Sequence, residues 1–216
     1  MNNLINIMGK KYEKKFSILP MGVYLKEFKN DFKFNKNVLF LGRLADKKGI
    51  KYLLEAIKLL KEAKIKVLIA GDGPLRKELE NFVKINKLQN KIKFLGYLTG
   101  KEKINLIKSC GIFIVPSIIT RYGDREGLPV SLLEAMAASK AIITTNVGGM
   151  GEIIKNNYNG LLIKQKDPYD IADAINKLFK NKNLAKRIAL NARKTILDYD
   201  WKIISEKYYK TLTNES

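Results

Sequence analysis

Six short runs of apolar and β-branched residues recur along the chain, and longer stretches with helical spacing separate most of them. The runs are VLFLG (38–42), KVLIAG (66–71), KFLG (93–96), IFIVP (112–116), AIITT (141–145) and LLIK (161–164). Continuous apolar runs of this length suit strands buried on both faces, and a parallel sheet covered by helices provides that environment. Residues 49–63 set Ile50, Leu53, Leu54, Ile57 and Leu60 on one stripe, and residues 75–87 do the same with Leu75, Leu79, Phe82 and Val83. Thr99 followed by Glu102 predicts a capping box ahead of a helix over 100–108. Asp167-Pro168 predicts another helix start, with a capping carboxylate and proline in the first turn. Alternation of strands and helices points to an α/β fold, a Rossmann-like doubly wound parallel sheet with right-handed crossovers.

The alternation stops after the sixth run. Helices expected near 168–181, 183–197 and 201–212 succeed one another with no strand between them, a helical C-terminal tail. Residues 1–37 are mostly polar, with one short motif, ILPMGV (18–23). The chain therefore divides into an interdomain remnant (1–37), a ligand-binding sheet domain (38–182) and closing helices (183–216).

Composition removes whole classes of chemistry. The chain of 216 residues has no His and a single Cys, which excludes within it a His-based triad, a zinc site and a disulfide. Cys110, inside the apolar stretch CGIFIVP, reads as a buried structural thiol. No apolar run approaches the roughly 18 residues of a membrane span. The first residues, MNNLINIMGKKYEKK, carry no apolar secretory core. The expectation is a cytoplasmic protein.

A net charge of +20 raises three partners: nucleic acid, an anionic membrane surface and a phosphorylated ligand. The excess is mostly Lys scattered over the whole chain, as on solvated helix faces. No interleaving of aromatic and basic residues marks a nucleic-acid platform, so no nucleic acid is expected. A peripheral contact with the inner face of the cell membrane stays open.

In a doubly wound sheet, ligands bind beyond the carboxyl ends of the strands. The residues just past each predicted strand are therefore the informative ones. Gly42-Arg43 comes after the first, with Lys48 a few residues on. Arg43 offers a planar fork for phosphate oxygens and Lys48 a point charge, a pair suited to a diphosphate; a solvated surface role for Arg43 is the alternative. Gly71-Asp72-Gly73-Pro74 comes after the second, where glycines permit close backbone approach or an ordinary tight turn. Tyr97-Leu98 comes after the third. Neither GxGxxG nor GxxxxGK[ST] is present, so the dinucleotide fingerprint and the P-loop are absent.

The fourth strand leads through a loop to EGLPVSLLEAMA (126–137). Gly127 supplies a flexible approach and Pro129 suits the first turn of a helix, whose free N–H groups would face an anion or a hydroxyl-rich ligand. Glu134, one to two turns into that helix, can accept two hydrogen bonds from a vicinal diol such as a ribose. Glu126, in the loop, would lie nearer a phosphate or the group it carries. The alternative is a capping carboxylate at Glu126 and a solvent-facing Glu134.

These stretches together resemble a known family. EGLPVSLLEAMA carries the E-x7-E spacing of retaining glycosyltransferases of the GT-B fold, and GRLADKKG, GDGPLRKEL, FLGYL, VPS and VGGMGEII occur in that family's order. ILPMGVYLKEF is similar to its segment leading into the C-terminal domain, and DYDWKIISEKYYK to its closing helix. The resemblance is to glycosyltransferase family 4, spans about residues 18 to 213, and leans in its GDREGLP loop toward enzymes of exopolysaccharide and lipid-linked glycan assembly.

The resemblance implies the C-terminal, donor-binding half of such an enzyme. Arg43 and Lys48 would bind the diphosphate of a UDP-, GDP- or ADP-sugar and stabilise it as it leaves, without a metal. Glu126, with the backbone of Gly127 and Leu128, would face the donor sugar. Glu134 would hold the ribose, Tyr97-Leu98 would lie against the base, and Gly42, Gly71, Gly73 and Pro129 would complete the donor site. Transfer of a hexose-type sugar to a glycan or lipid-linked acceptor would need an N-terminal GT-B domain, in the same chain or in trans. Two positions depart from the pattern: Tyr24 stands where Asp is common, and Gly151 where Pro is common. The competing expectation is a non-catalytic module that binds nucleotide-sugars or lipid diphosphates at the membrane surface.

Overall fold

The computed structural model describes residues 17, 19–29, 32, 34–61 and 65–213. Ile18 of the ILPMGV motif, the last two residues of the expected 49–63 helix, and residues 1–16 lie outside that set.

All six runs form strands: β1 (Asn37–Leu41), β2 (Lys66–Ala70), β3 (Ile92–Gly96), β4 (Ile112–Val115), β5 (Ala141–Thr145) and β6 (Leu161–Ile163). They make one parallel sheet in the order β3-β2-β1-β4-β5-β6. The chain moves outward from β1 in one direction and then returns to start again at β4. The crevice at the carboxyl ends of β1 and β4 is thus the switch point where such sheets take ligands.

Alternation of side chains across each strand divides the core. Val38 and Phe40 point into one apolar cluster, with Ile112, Ile114, Ala141 and Ile143. Leu39, Phe113 and Ile142 point into the other. Helices α1 (Ile50–Leu59), α2 (Arg76–Ile85) and α6 (Pro168–Lys180) cover the first face. On the second face lie α3 (Gly100–Ser109), α4 (Val130–Ala137) and α5 (Met150–Ile153). Burial of each large aliphatic side chain contributes about 1.5–3 kcal/mol, which is why continuous apolar runs fold this way.

At the helix starts, one expected cap is missing and the other forms. Thr99 stands at the cap of α3, but its hydroxyl makes no capping bond. Gly100, the first residue of the helix, is in the left-handed region (φ 51°), not the helical backbone that a capping box presumes. At α6 the expected cap is present, with Asp167 Oδ1 accepting from the backbone N–H of Tyr169 and of Asp170, both at 3.0 Å.

The C-terminal tail is helical, as expected: α6, then α7 (Lys182–Thr195), then α8 (Trp201–Thr213). α7 lays Leu184, Ala185 and Ile188 into the first cluster and Ala192 into the second. α8 buries only Ile204 of its described side chains and exposes Tyr209 and Leu212. Its start is tied to residues 22–25. Val23 N–H donates to Tyr199 O at 2.9 Å, Trp201 N–H donates to Val23 O at 3.1 Å, and Leu25 N–H donates to Asp200 Oδ2 at 3.1 Å. Among the described residues no helix is long and apolar enough to cross a membrane.

Cys110 is fully buried, and its thiol donates to Ile107 O at 3.3 Å. Burial pushes the thiol up to about 12 from 9.0, against the pull of the Lys140 charge. Because the folded value lies above the unfolded one, the contribution to stability is complete below about pH 9 and is lost as pH rises toward 12. A disulfide reagent at pH 8 is expected to leave the native chain unmodified and to find one thiol after denaturant is added. Rapid native labelling would contradict this packing.

Candidate functional site

The loops at the switch point are stitched to one another. Leu44 N–H donates to Asp72 O at 2.9 Å and Leu75 N–H to Leu44 O at 3.1 Å, joining the loops after β1 and β2. Gly71 N–H donates to Gly96 O at 2.7 Å, adding the loop after β3. The glycines of GDGP serve this contact first. A Cβ on Gly71, whose φ is 132°, would overlap the Gly42 carbonyl oxygen, and one on Gly73 would lie 2.5 Å from Leu44 O. The close approach they permit is therefore of one protein loop to another.

Together these loops enclose a cavity of about 400 Å³ lined by Gly42, Arg43, Asp72, Gly73, Tyr97 and Leu98 among others. The cavity gathers six of the residues expected at a ligand site: Gly42, Arg43, Gly71, Gly73, Tyr97 and Leu98. Tyr97 is 76% exposed, a free aromatic edge at the rim. Arg43 is exposed and makes no ion pair among the described residues. Its five donors are open to an anion.

Lys48 and Glu126 flank this cavity. The Lys48 ammonium lies over Gly42, 3.6 Å from where a Cβ would stand. It meets Glu126 Oε2 at 2.5 Å, with only 14% and 15% of the two side chains exposed. The contact is one of charge: the ammonium does not align as a hydrogen-bond donor, so buried Oε2 keeps an unused acceptor direction. Oε2 is sealed from solvent; the other oxygen, Oε1, is neither sealed nor hydrogen-bonded among the described residues, and it is the one that can take a hydroxyl from outside the protein. Lys47 meets Asp124 at 3.2 Å nearby, so two adjacent lysines of the β1 loop hold two carboxylates of the β4 loop. Ser117 Oγ, fully buried just after β4, also has no partner among the described residues.

The stretch from Glu126 to Pro129 is held from below by the loop after β5. Gly149 N–H donates to Gly127 O at 3.1 Å. Gly148 adopts φ 57°, and a Cβ there would overlap the Glu126 carbonyl oxygen. Leu128 packs against Gly149. At Gly151 a Cβ would meet the Asn146 side chain, so Asn146 would have to move for a larger residue.

Pro129 is the cap of α4 and not a first-turn residue: its backbone is extended (φ −66°, ψ 129°) and the helix begins at Val130. It still leaves the first N–H groups of the helix without intrahelical acceptors. One turn before Glu134, Ser131 Oγ donates to Leu41 O at 3.2 Å, docking α4 on the cavity wall. Glu134 is no solvent-facing residue. It is 8% exposed, and Lys103 Nζ of α3 donates to its Oε1 at 2.6 Å.

Lys103, Asp124 and Ser131 are site residues that spacing alone does not single out. A lysine among 41 basic residues carries no signal.

The family model "Glycosyl transferases group 1" matches residues 25–195. An uncharacterized glycosyltransferase of Methanocaldococcus jannaschii is 34% identical over 174 residues, covering 80% of this chain and 43% of that protein. The N,N'-diacetylbacillosaminyl-diphospho-undecaprenol alpha-1,3-N-acetylgalactosaminyltransferase of Campylobacter jejuni is 32% identical, covering 94% of this chain and 55% of that protein. Among solved structures, Anabaena HepE in complex with UDP-glucose superposes with a TM-score of 0.86 at 21% identity, over 99% of this chain and 61% of that one. The fold is that of the C-terminal domain of GT-B glycosyltransferases. The chain spans about half the length of the curated relatives it matches.

Proposed function

The chain belongs to the group 1 glycosyl transferases, and from that premise we propose that it is the donor-binding half of a retaining, family 4 enzyme. The observation that carries this reading is Arg43, unpaired among the described residues, on the wall of a 400 Å³ cavity that Tyr97-Leu98 also line and that the Lys48–Glu126 pair adjoins at Gly42. On this reading a nucleotide-sugar lies with its base at Tyr97-Leu98, ribose at Glu134, diphosphate at Arg43 and Lys48, and sugar at Glu126 and the Gly127-Leu128 backbone.

The chemistry is a matter of charge. As the bond to the donor sugar breaks, negative charge grows on the departing diphosphate, and preorganised cations there stabilise the transition state more than the ground state. Arg43 and Lys48 supply that stabilisation without a metal. Glu126 accepts from a sugar hydroxyl and orients the ring for front-face attack by the acceptor.

The acceptor, a glycan or lipid-linked chain receiving a hexose-type sugar, enters through a second GT-B domain. The lipid-linked class is favoured by the name of the C. jejuni relative, which specifies a diphospho-undecaprenol substrate. The exposed face of α8 is where that second domain docks. The reaction runs in the cytoplasm, with the Lys-rich surface against the anionic inner leaflet.

Titration of the chain with UDP-, GDP- and ADP-glucose in the presence of EDTA tests the donor reading. One of the three is expected to bind at micromolar concentration, unchanged by the chelator. Failure of all three, together with salt-sensitive sedimentation on anionic vesicles, would replace this reading with a membrane-binding module.

A further inference from the structure

Glu134 has surroundings that a surface carboxylate does not. On α4 its neighbours Leu132, Leu133, Ala135, Met136 and Ala137 are all buried. An ionised carboxyl group set among them is costly unless a cation or hydrogen bonds compensate. The compensation comes from Lys103, thirty-one positions earlier and on a different helix, whose Nζ lies 2.6 Å from Oε1.

Both helices rise from the walls of the same cavity. Leu41 lines it, and its carbonyl accepts from Ser131, one turn before Glu134 on the same face of α4. Leu98 lines it on the other side and leads, through Thr99, into the first turn of α3, which carries Lys103. The ion pair therefore joins the helix docked on Leu41 to the helix that follows Leu98. Lys103 occupies one oxygen of Glu134. The other, Oε2, is neither sealed from solvent nor partnered among the described residues.

We infer that Lys103 positions Glu134, and through it sets the preference of this site for a ribose over a deoxyribose. The inference rests on the reading of Glu134 as the ribose acceptor. A carboxylate with one oxygen held by a cation keeps a single rotamer, so its second oxygen presents its lone pairs in a fixed direction. Without Lys103 the carboxylate turns toward water, and the hydroxyl contact loses its geometry while the diphosphate contacts at Arg43 and Lys48 remain. Lys103 is a positioning residue; it touches the carboxylate, not the ligand.

The test compares UDP with 2'-deoxy-UDP, and the GDP and ADP pairs likewise, by calorimetry on the full chain. The wild type is expected to favour the ribonucleotide about tenfold, the scale of one hydrogen bond to a charged acceptor. Lys103→Met is expected to reduce that ratio to about twofold or less, and Lys103→Arg to restore most of it. A ratio measured within one sample is independent of how much of it is folded, so a loss of stability cannot mimic the result. If Lys103→Met keeps the ratio and Glu134→Gln collapses it, the positioning role is overturned and the ribose reading stands. A ratio that survives Glu134→Gln overturns the ribose reading, and the role of Lys103 with it.

Discussion

Replacing Arg43 with Ala is expected to weaken binding of a nucleoside diphosphate by roughly 10- to 100-fold, while replacing Glu126 with Gln tightens it several-fold. The opposite signs have one geometric origin. Arg43 is exposed, on the cavity wall and unpaired among the described residues, so its removal takes away charge-assisted bonds worth about 1.5–3 kcal/mol and leaves nothing stranded. Lys48 is not free: Glu126 lies at 2.5 Å and neutralises it. An arriving diphosphate must share that ammonium with a carboxylate that repels it. Two like charges about 6 Å apart at an effective dielectric near 20 interact by roughly 2–3 kcal/mol, less where solvent reaches. The neutral amide removes that repulsion. It also removes the acceptor for a donor-sugar hydroxyl, so the sugar nucleotide should gain less than the bare diphosphate, and the affinity ratio of donor to product should fall. Calorimetry with UDP and UDP-glucose on wild type, Arg43→Ala and Glu126→Gln reads all three effects. Weaker binding of the bare diphosphate by Glu126→Gln would mean that the carboxylate supports the anion site through structure and does not compete with it.

The strands were readable because a parallel sheet buried on both faces leaves no polar alternation, and VLFLG, KVLIAG and IFIVP have none. Their ends were readable to about one residue for a related reason: five of the six runs stop near a Gly, Pro or Asn that begins a loop. Strand order was not readable, since pairing β1 with β4 is a choice among tertiary contacts that no local pattern encodes. The switch-point crevice depends on that order, so the meeting of Lys48 with Glu126, seventy-eight positions apart, emerges only in three dimensions. Glu134 was half legible. Its spacing from Glu126 marked it, but LLEAMA around it also announced burial, and a buried carboxylate demands a cation. Which lysine answers that demand was hidden by the abundance of lysine. Thr99 misled for a local reason, because a capping pattern presumes helical backbone immediately after it and Gly100 does not provide that.

Gly148→Ala is expected to lower stability by about 2–5 kcal/mol, two costs acting at one atom. A side chain in the left-handed region costs roughly 1–2 kcal/mol for any residue with a Cβ. The remainder arises because the new Cβ would overlap the Glu126 carbonyl oxygen, and relief by backbone shifts costs typically about 1–3 kcal/mol. For a chain of this size the sum corresponds to a fall in Tm of roughly 4–20 °C. Gly123→Ala separates the two terms. Gly123 has φ 79°, also left-handed, yet a Cβ there would meet nothing within 4 Å, so only the backbone cost applies. The relief at Gly148 must push the Glu126–Gly127 segment off the loop after β5 and so stretch the Lys48–Glu126 contact. Folded Gly148→Ala is therefore expected to shift the donor-to-product affinity ratio in the same direction as Glu126→Gln, whereas Gly123→Ala leaves it alone. Thermal melts of the two variants that coincide within error would show that the Gly148 loop does not bear on Glu126, and the support of the sugar-facing carboxylate would have to be sought elsewhere.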